Sequence, residues 1–251
     1  MGSTQEVTFQ GAEGAPVQGR LFAPPRSDEP RPAIVLIHEV FGLDVHACEV
    51  AARFAAEGFH VLVPDLYSRE GVPGPESTTA EPAPIWDIDS IRSAARGLPD
   101  RRALADIDAA AAHLAGLDDV DAERIAAIGF CMGGTLAFLA GCTSLRFAGV
   151  VDFYGRVFYP ELSAAKPTQP LELALNLDRP LLAFFGGRDE GIPLEDVERM
   201  RVTLSSAAKS FDIVVYDEAQ HGFFNDLRPN FDAAAARDAW ARTLRFLRAD
   251  L

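Results

Sequence analysis

Basic clusters, paired cysteines and long apolar runs are all missing from this chain of 251 residues. Lys and Arg number 23 against 37 Asp and Glu, a formal net charge of −14. Nucleic-acid phosphates are held by clustered Lys and Arg, and Arg101 and Arg102 are the only adjacent basic pair. The charge therefore argues against a nucleic-acid partner and reads as solubility. The three cysteines, Cys48, Cys131 and Cys142, form no C-x-x-C. That sets aside a disulfide framework, a thiolate zinc site and a thioredoxin-type pair, and points to free thiols in a reducing, cytoplasmic setting. No run approaches the length of a membrane span, so no membrane association is expected. The opening MGSTQEVTF lacks a basic and then apolar leader, and Glu6 stands where a myristoylation signal needs Ser or Thr. No G-x-G-x-x-G and no P-loop occurs, so neither a nucleotide cofactor nor a metal is expected. No internal repeat is visible, and no heptad pattern speaks to the oligomeric state.

What is present is a soluble composition, 48% hydrophobic and 24% charged, which sets aside a disordered chain. At this length one α/β domain over residues 1–251 is the expectation. Residues 6–9 and 17–22 read as an antiparallel start. Residues 33–38, 60–64, 125–130, 147–153, 181–185 and 211–216 are strand-length apolar runs, the pattern of strands buried on both faces. Between them, 44–57, 101–116, 132–140, 194–208 and 231–249 read as helices, with Gly58 and Gly116 as stops. The alternation predicts a mainly parallel sheet of about eight strands with helices on both faces. Residues 66–99 and 156–180 break the rhythm. The first stretch, carrying Trp86, reads as a lid over the site or as a surface excursion.

The sharpest motif is Gly129-Phe130-Cys131-Met132-Gly133-Gly134, an apolar strand running through Gly-x-Cys-x-Gly into a helix. This is the nucleophile-elbow pattern with Cys in place of Ser. The turn is tight, so small residues must flank the apex at two positions. A helix N-terminus favours a thiolate, and the Met132 N–H points where an oxyanion would form. The structural alternative is a buried Cys between packing glycines.

A nucleophile needs a base, and the base an orienter. His221 is the only histidine after Cys131, and it lies in a loop beyond a strand end, where α/β sites collect. Between them, Phe184-Phe185-Gly186-Gly187-Arg188-Asp189 ends a buried strand and offers Asp189 as the acid. Glu190 and Asp196 compete with it on spacing alone. The loop His38-Glu39-Val40-Phe41-Gly42 follows the strand 33–38 and assigns the second oxyanion N–H to Val40. It is not a zinc motif, because Gly42 stands where H-E-x-x-H needs the second His. Glu39 near Cys131 would disfavour a thiolate, and so hold the resting group as a thiol or take its proton. Phe41, Tyr154 and Phe223, near the motif loops, join Trp86 as candidate substrate-pocket walls. Asp118, Asp119 and Asp121 read as a solvated acidic turn.

At HEVFG, Gly-Phe-Cys-Met-Gly-Gly, Gly-Gly-Arg-Asp and His-Gly-Phe-Phe the chain resembles the dienelactone hydrolase family of the α/β-hydrolase superfamily, over roughly residues 15–245. The resemblance implies a Cys131–His221–Asp189 triad that opens a lactone or cleaves a small-molecule ester through a thioester. It also implies that Glu39 contacts the resting thiol and releases it when substrate arrives. One departure stands out. Family members acting on dienelactone hold its carboxylate with arginines, one of them four residues after the triad histidine. Here that position is Asn225, and the next arginine is Arg228. Arg69, Arg92 and Arg96 are further candidates. A broader carboxylesterase acting on neutral esters is the alternative substrate reading. The alternatives of other classes are a thiol sensor on a hydrolase scaffold and a binding module that has lost catalysis. A sensor would want a resolving thiol, and Cys142 lies about three turns down the following helix.

Overall fold

The computed structural model describes residues 2–69 and 88–251. Eight strands form one sheet: β1 (Ser3–Gln10), β2 (Pro16–Ala23), β3 (Arg31–Ile37), β4 (His60–Pro64), β5 (Val120–Phe130), β6 (Gly149–Phe153), β7 (Leu181–Gly186) and β8 (Phe211–Tyr216). Their spatial order is β1-β2-β4-β3-β5-β6-β7-β8. The pairs β1–β2 and β2–β4 are antiparallel, and every pair from β4 through β8 is parallel. Strands β4, β6 and β7 are buried along their whole length, which is why they read as unbroken apolar runs.

Among the described residues six α-helices connect and cover the sheet: α1 (Val45–Ala56), α2 (Ile88–Gly97), α3 (Asp100–Ala115), α4 (Met132–Thr143), α5 (Leu194–Ser206) and α6 (Ala233–Asp250). Helices α3 and α4 pack together over β3, β5 and β6. On the other face α1 meets α6 through Phe54 and Trp240, whose ring centroids are 4.4 Å apart. Asp44 caps α1 by accepting the Ala47 N–H at 2.9 Å. Asp232 caps α6 in the same way, through Ala234 and Ala235. Such caps are each worth about 1 kcal/mol. Gly58, at φ 101°, lets the chain leave α1 in a left-handed turn.

Two local features depart from the sequence reading. Helix α2 lies in the stretch read as a lid or excursion, and Trp86 lies outside the described residues. In the irregular stretch 156–180 a short 3-10 helix (Pro170–Asn176) starts at a capping box between Gln169 and Glu172. This stretch is anchored from below. Lys166, 8% exposed, donates to Asp100 of α3 at 2.5 Å, and the Tyr159 hydroxyl donates to the other oxygen of Asp100 at 2.9 Å. No helix among the described residues is long and apolar enough to cross a membrane.

Candidate active site

The parallel strands β3, β5, β6 and β7 end side by side, and the loops beyond these ends and beyond β8 converge there. Cys131 stands at the apex between β5 and α4 with φ 56° and ψ −117°. A non-glycine residue held in that conformation costs about 1–3 kcal/mol, so the surroundings must enforce it. They do. Its own N–H donates to Phe153 O of β6 at 2.9 Å, and its carbonyl accepts from Gly134 and Thr135 in the first turn of α4. A Cβ on Gly129 would overlap the Gly133 carbonyl, and one on Gly133 would overlap the Ile37 and His38 carbonyls at the end of β3. Both glycines are therefore required by close backbone approach.

His221 lies beyond β8, with Nδ1 2.6 Å from Asp189 Oδ2. Asp189 sits beyond β7 and is buried, and its other oxygen accepts the Gly191 N–H at 2.8 Å. The acid and histidine loops touch directly. Arg188 N–H donates to Ala219 O at 2.9 Å, and a Cβ on Gly186 or Gly187 would strike the backbone of Ala219 or Asp217. On its other side His221 has Cys131 within electrostatic reach. Burial works against a charged imidazole, but the hydrogen bond to Asp189 and the charges of Asp189 and Cys131 outweigh it and raise the pKa of His221 to about 10. Among the acids that compete on spacing, Glu190 is exposed and Asp196 lies 3.8 Å from Arg199.

Glu39 and Val40 follow β3, and Met132 opens α4 beside them. The Tyr67 hydroxyl meets the Met132 sulfur at 3.4 Å. Glu39 is 6% exposed and accepts a 2.6 Å hydrogen bond from Asn225 Nδ2. Burial pushes its pKa up to about 7, against the lowering effect of Asn225. Phe41 is half-buried beneath Arg228, whose guanidinium carbon lies 3.8 Å from the ring centroid.

Tyr154 and Phe223 are corrections to the pocket reading. Both have no exposed surface. They stand behind the histidine instead: Tyr154 packs edge-on against His221 with centroids 5.1 Å apart, and Phe223 packs against Tyr154 at 5.2 Å. The Tyr154 hydroxyl faces Glu39 without an aligned hydrogen bond. Arg69 is likewise unavailable to substrate, since it forms an ion pair with buried Asp106 of α3. Arg92 is exposed and lies 4.0 Å from Asp89 on its own helix. Cys142 is buried within α4, and Cys48 accepts from Arg20.

Two side chains escaped the sequence reading. Asn225 registers there only as a missing arginine, whereas in the fold it holds Glu39. Asp152, the one carboxylate in the apolar run 147–153, is buried at the end of β6. A lone acid in a strand buried on both faces was the available signal.

The profile of the Dienelactone hydrolase family matches residues 17–251. The chain belongs to that family. Among its relatives, a protein of Escherichia coli K12 assigned as a carboxymethylenebutenolidase is 34% identical over 226 residues, covering 90% of this chain and 79% of that one. A Bradyrhizobium protein assigned as a 2-oxo-3-(5-oxofuran-2-ylidene)propanoate lactonase is 32% identical over 218 residues, 86% of this chain and 83% of its own. The crystal structure of a protein from Klebsiella pneumoniae assigned as a dienelactone hydrolase superposes with a TM-score of 0.87 at 30% identity, covering 98% of this chain and 99% of that one. The α/β-hydrolase sheet and the dienelactone-hydrolase-like hydrolase class follow from these matches.

Proposed function

We propose that this family member opens a lactone or cleaves a carboxylic ester with Cys131 as nucleophile, His221 as base and then acid, and Asp189 as orienter. The observation that carries the reading is His221 held by Asp189 at 2.6 Å at the sheet edge where Cys131 stands in its strained elbow conformation. Thiolate attack on the carbonyl carbon gives a tetrahedral oxyanion, for which the Val40 and Met132 N–H groups are the donors. Collapse expels the alkoxide or enolate, which takes the proton of His221, and leaves a thioester on Cys131. Water attacks the thioester, His221 accepts its proton, and the thiolate departs. A thiolate leaves more readily than an amide nitrogen, so activated esters and enol lactones are favoured over peptides.

Glu39 is the gate of this reading. Buried and neutral below about pH 7, it adds no negative charge beside His221. Its partner Asn225 is neutral as well. That pairing favours a second substrate reading, esters without a carboxylate, because position 225 brings no cation. Arg228, exposed on Phe41, is a cationic candidate for an acidic substrate that lies against a site loop.

The test follows hydrolysis of p-nitrophenyl acetate and of cis-dienelactone by wild type and Cys131→Ala. The variant is expected to lose at least about 10³-fold in kcat/KM on whichever substrate reacts. Dienelactone as the far better substrate supports the acidic lactone, and turnover of the simple ester alone supports the neutral-ester reading. An active Cys131→Ala enzyme would overturn the triad.

A further inference from the structure

Asp152 is the buried acid for which this mechanism has no use. It is the last but one residue of β6, is 1% exposed, and pairs with Gly129 of the elbow strand across the sheet. Its Oδ1 accepts the Gly155 N–H at 2.8 Å. Two backbones close over that oxygen. A Cβ on Gly134 of α4 would overlap it, and one on Gly155 would come within 2.5 Å of it. Its Oδ2 is buried with no hydrogen-bond partner among the described residues. The turn Asp152 fixes carries two other parts of the site. Phe153 O binds the Cys131 N–H, and Tyr154, at φ 45°, packs on His221.

We propose that Asp152 is a positioning residue of the triad: through Gly155 it fixes the turn beneath Cys131, and through its free oxygen it presents a second carboxylate charge to the His221 imidazolium. This rests on the triad reading. Asp152 is placed near His221 by its chain neighbours: Phe153 O holds the Cys131 N–H at 2.9 Å, and the Tyr154 ring lies 5.1 Å from the His221 ring. Burial pushes its pKa up to about 7, with the Gly155 N–H and His221 opposing, so it charges in the range where the triad works. Groups from four elements surround His221. Asp189 comes from the β7 loop, Cys131 from the elbow, Glu39 from the β3 loop, and Tyr154 and Asp152 from β6. Asp189 sets the tautomer by contact, whereas Asp152 acts across space and only when ionised.

The discriminating variant is Asp152→Asn, which keeps an oxygen for Gly155 and removes the charge. The basic limb of kcat/KM for p-nitrophenyl acetate reports loss of the imidazolium proton. That limb is expected to move down by about one pH unit, because a charge at that separation in a low-dielectric site shifts a neighbour by this order. The acidic limb and the melting temperature at low pH are expected to stay in place, since Asp152 is neutral there. A purely structural Asp152 would lower the melting temperature or kcat without moving the basic limb, and that result overturns the proposal. If Asp152→Asn does not fold, the wild type decides: the His221 ring-nitrogen NMR shifts should show a secondary step as Asp152 ionises near pH 7. A single-step titration of His221 also overturns it. Both readouts are separate from the Cys131→Ala test, so a failed triad and an uninvolved Asp152 give different results.

Discussion

Asn225 holds Glu39: a 2.6 Å hydrogen bond joins the fourth residue after His221 to the loop beyond β3. The two loops meet again where Arg228 lies on Phe41, and Asp226 lies 3.6 Å from His46 of α1. The loop carrying the histidine is thus fastened to the loop carrying Val40, and the buried acid at the seam is neutral below about pH 7.

The Glu39 carboxyl should make stability depend on pH. Its ordinary value is 4.5 and its value in the fold is about 7. Between those values the native state holds a proton that the unfolded chain has lost, so stability falls as pH rises through the window. Glu39→Gln keeps an acceptor for Asn225 and removes the titration. The variant should match wild type at about pH 4 and exceed it by about 1–3 kcal/mol at about pH 8. Asp152 titrates in the same range, so some slope should remain. Denaturant unfolding at both pH values checks this, and an equal difference at the two would remove Glu39 as its source.

The sheet and the triad candidates were legible because each is a local pattern. Val61, Leu62 and Val63 declare a strand buried on both faces, and Gly129 and Gly133 around Cys131 declare a tight turn entering a helix. Asp189 and His221 each follow a strand end, which places them at one edge of a parallel sheet. What stayed hidden depends on pairs far apart in sequence. Nothing local in Asn225 announces Glu39, 186 residues away. Tyr154 and Phe223 looked like pocket walls because aromatics near motif loops often are, but their rings fill the space behind His221. Arg69, a candidate for the substrate carboxylate by sequence, instead pairs with buried Asp106 of α3.

Asp100 and Lys166 form a second buried pair that can be tested without reference to catalysis. Lys166 Nζ lies 2.5 Å from Asp100 Oδ1, and both side chains are about one-tenth exposed. Removing one partner leaves an uncompensated buried charge, whereas removing both can be nearly neutral. Lys166→Met alone should destabilise by about 3–5 kcal/mol, and Lys166→Met with Asp100→Leu by clearly less. The double-mutant cycle in thermal or urea unfolding reads the coupling. Additive losses would mean that Tyr159, which also donates to Asp100, and not the ion pair, anchors this stretch.

Arg228 bears directly on the substrate. It lies seven residues after His221, where family members acting on dienelactone carry an arginine at four. It is exposed, stacks on Phe41 beside Val40, and has no carboxylate partner among the described residues. A charged hydrogen bond to a substrate carboxylate is worth about 1.5–3 kcal/mol. Arg228→Ala should therefore raise KM for cis-dienelactone by about 10- to 100-fold with kcat little changed, and leave p-nitrophenyl acetate untouched. An equal loss on both substrates would assign Arg228 to holding the Phe41 loop. No loss on either would leave the acidic lactone without a cation at this position and favour neutral esters.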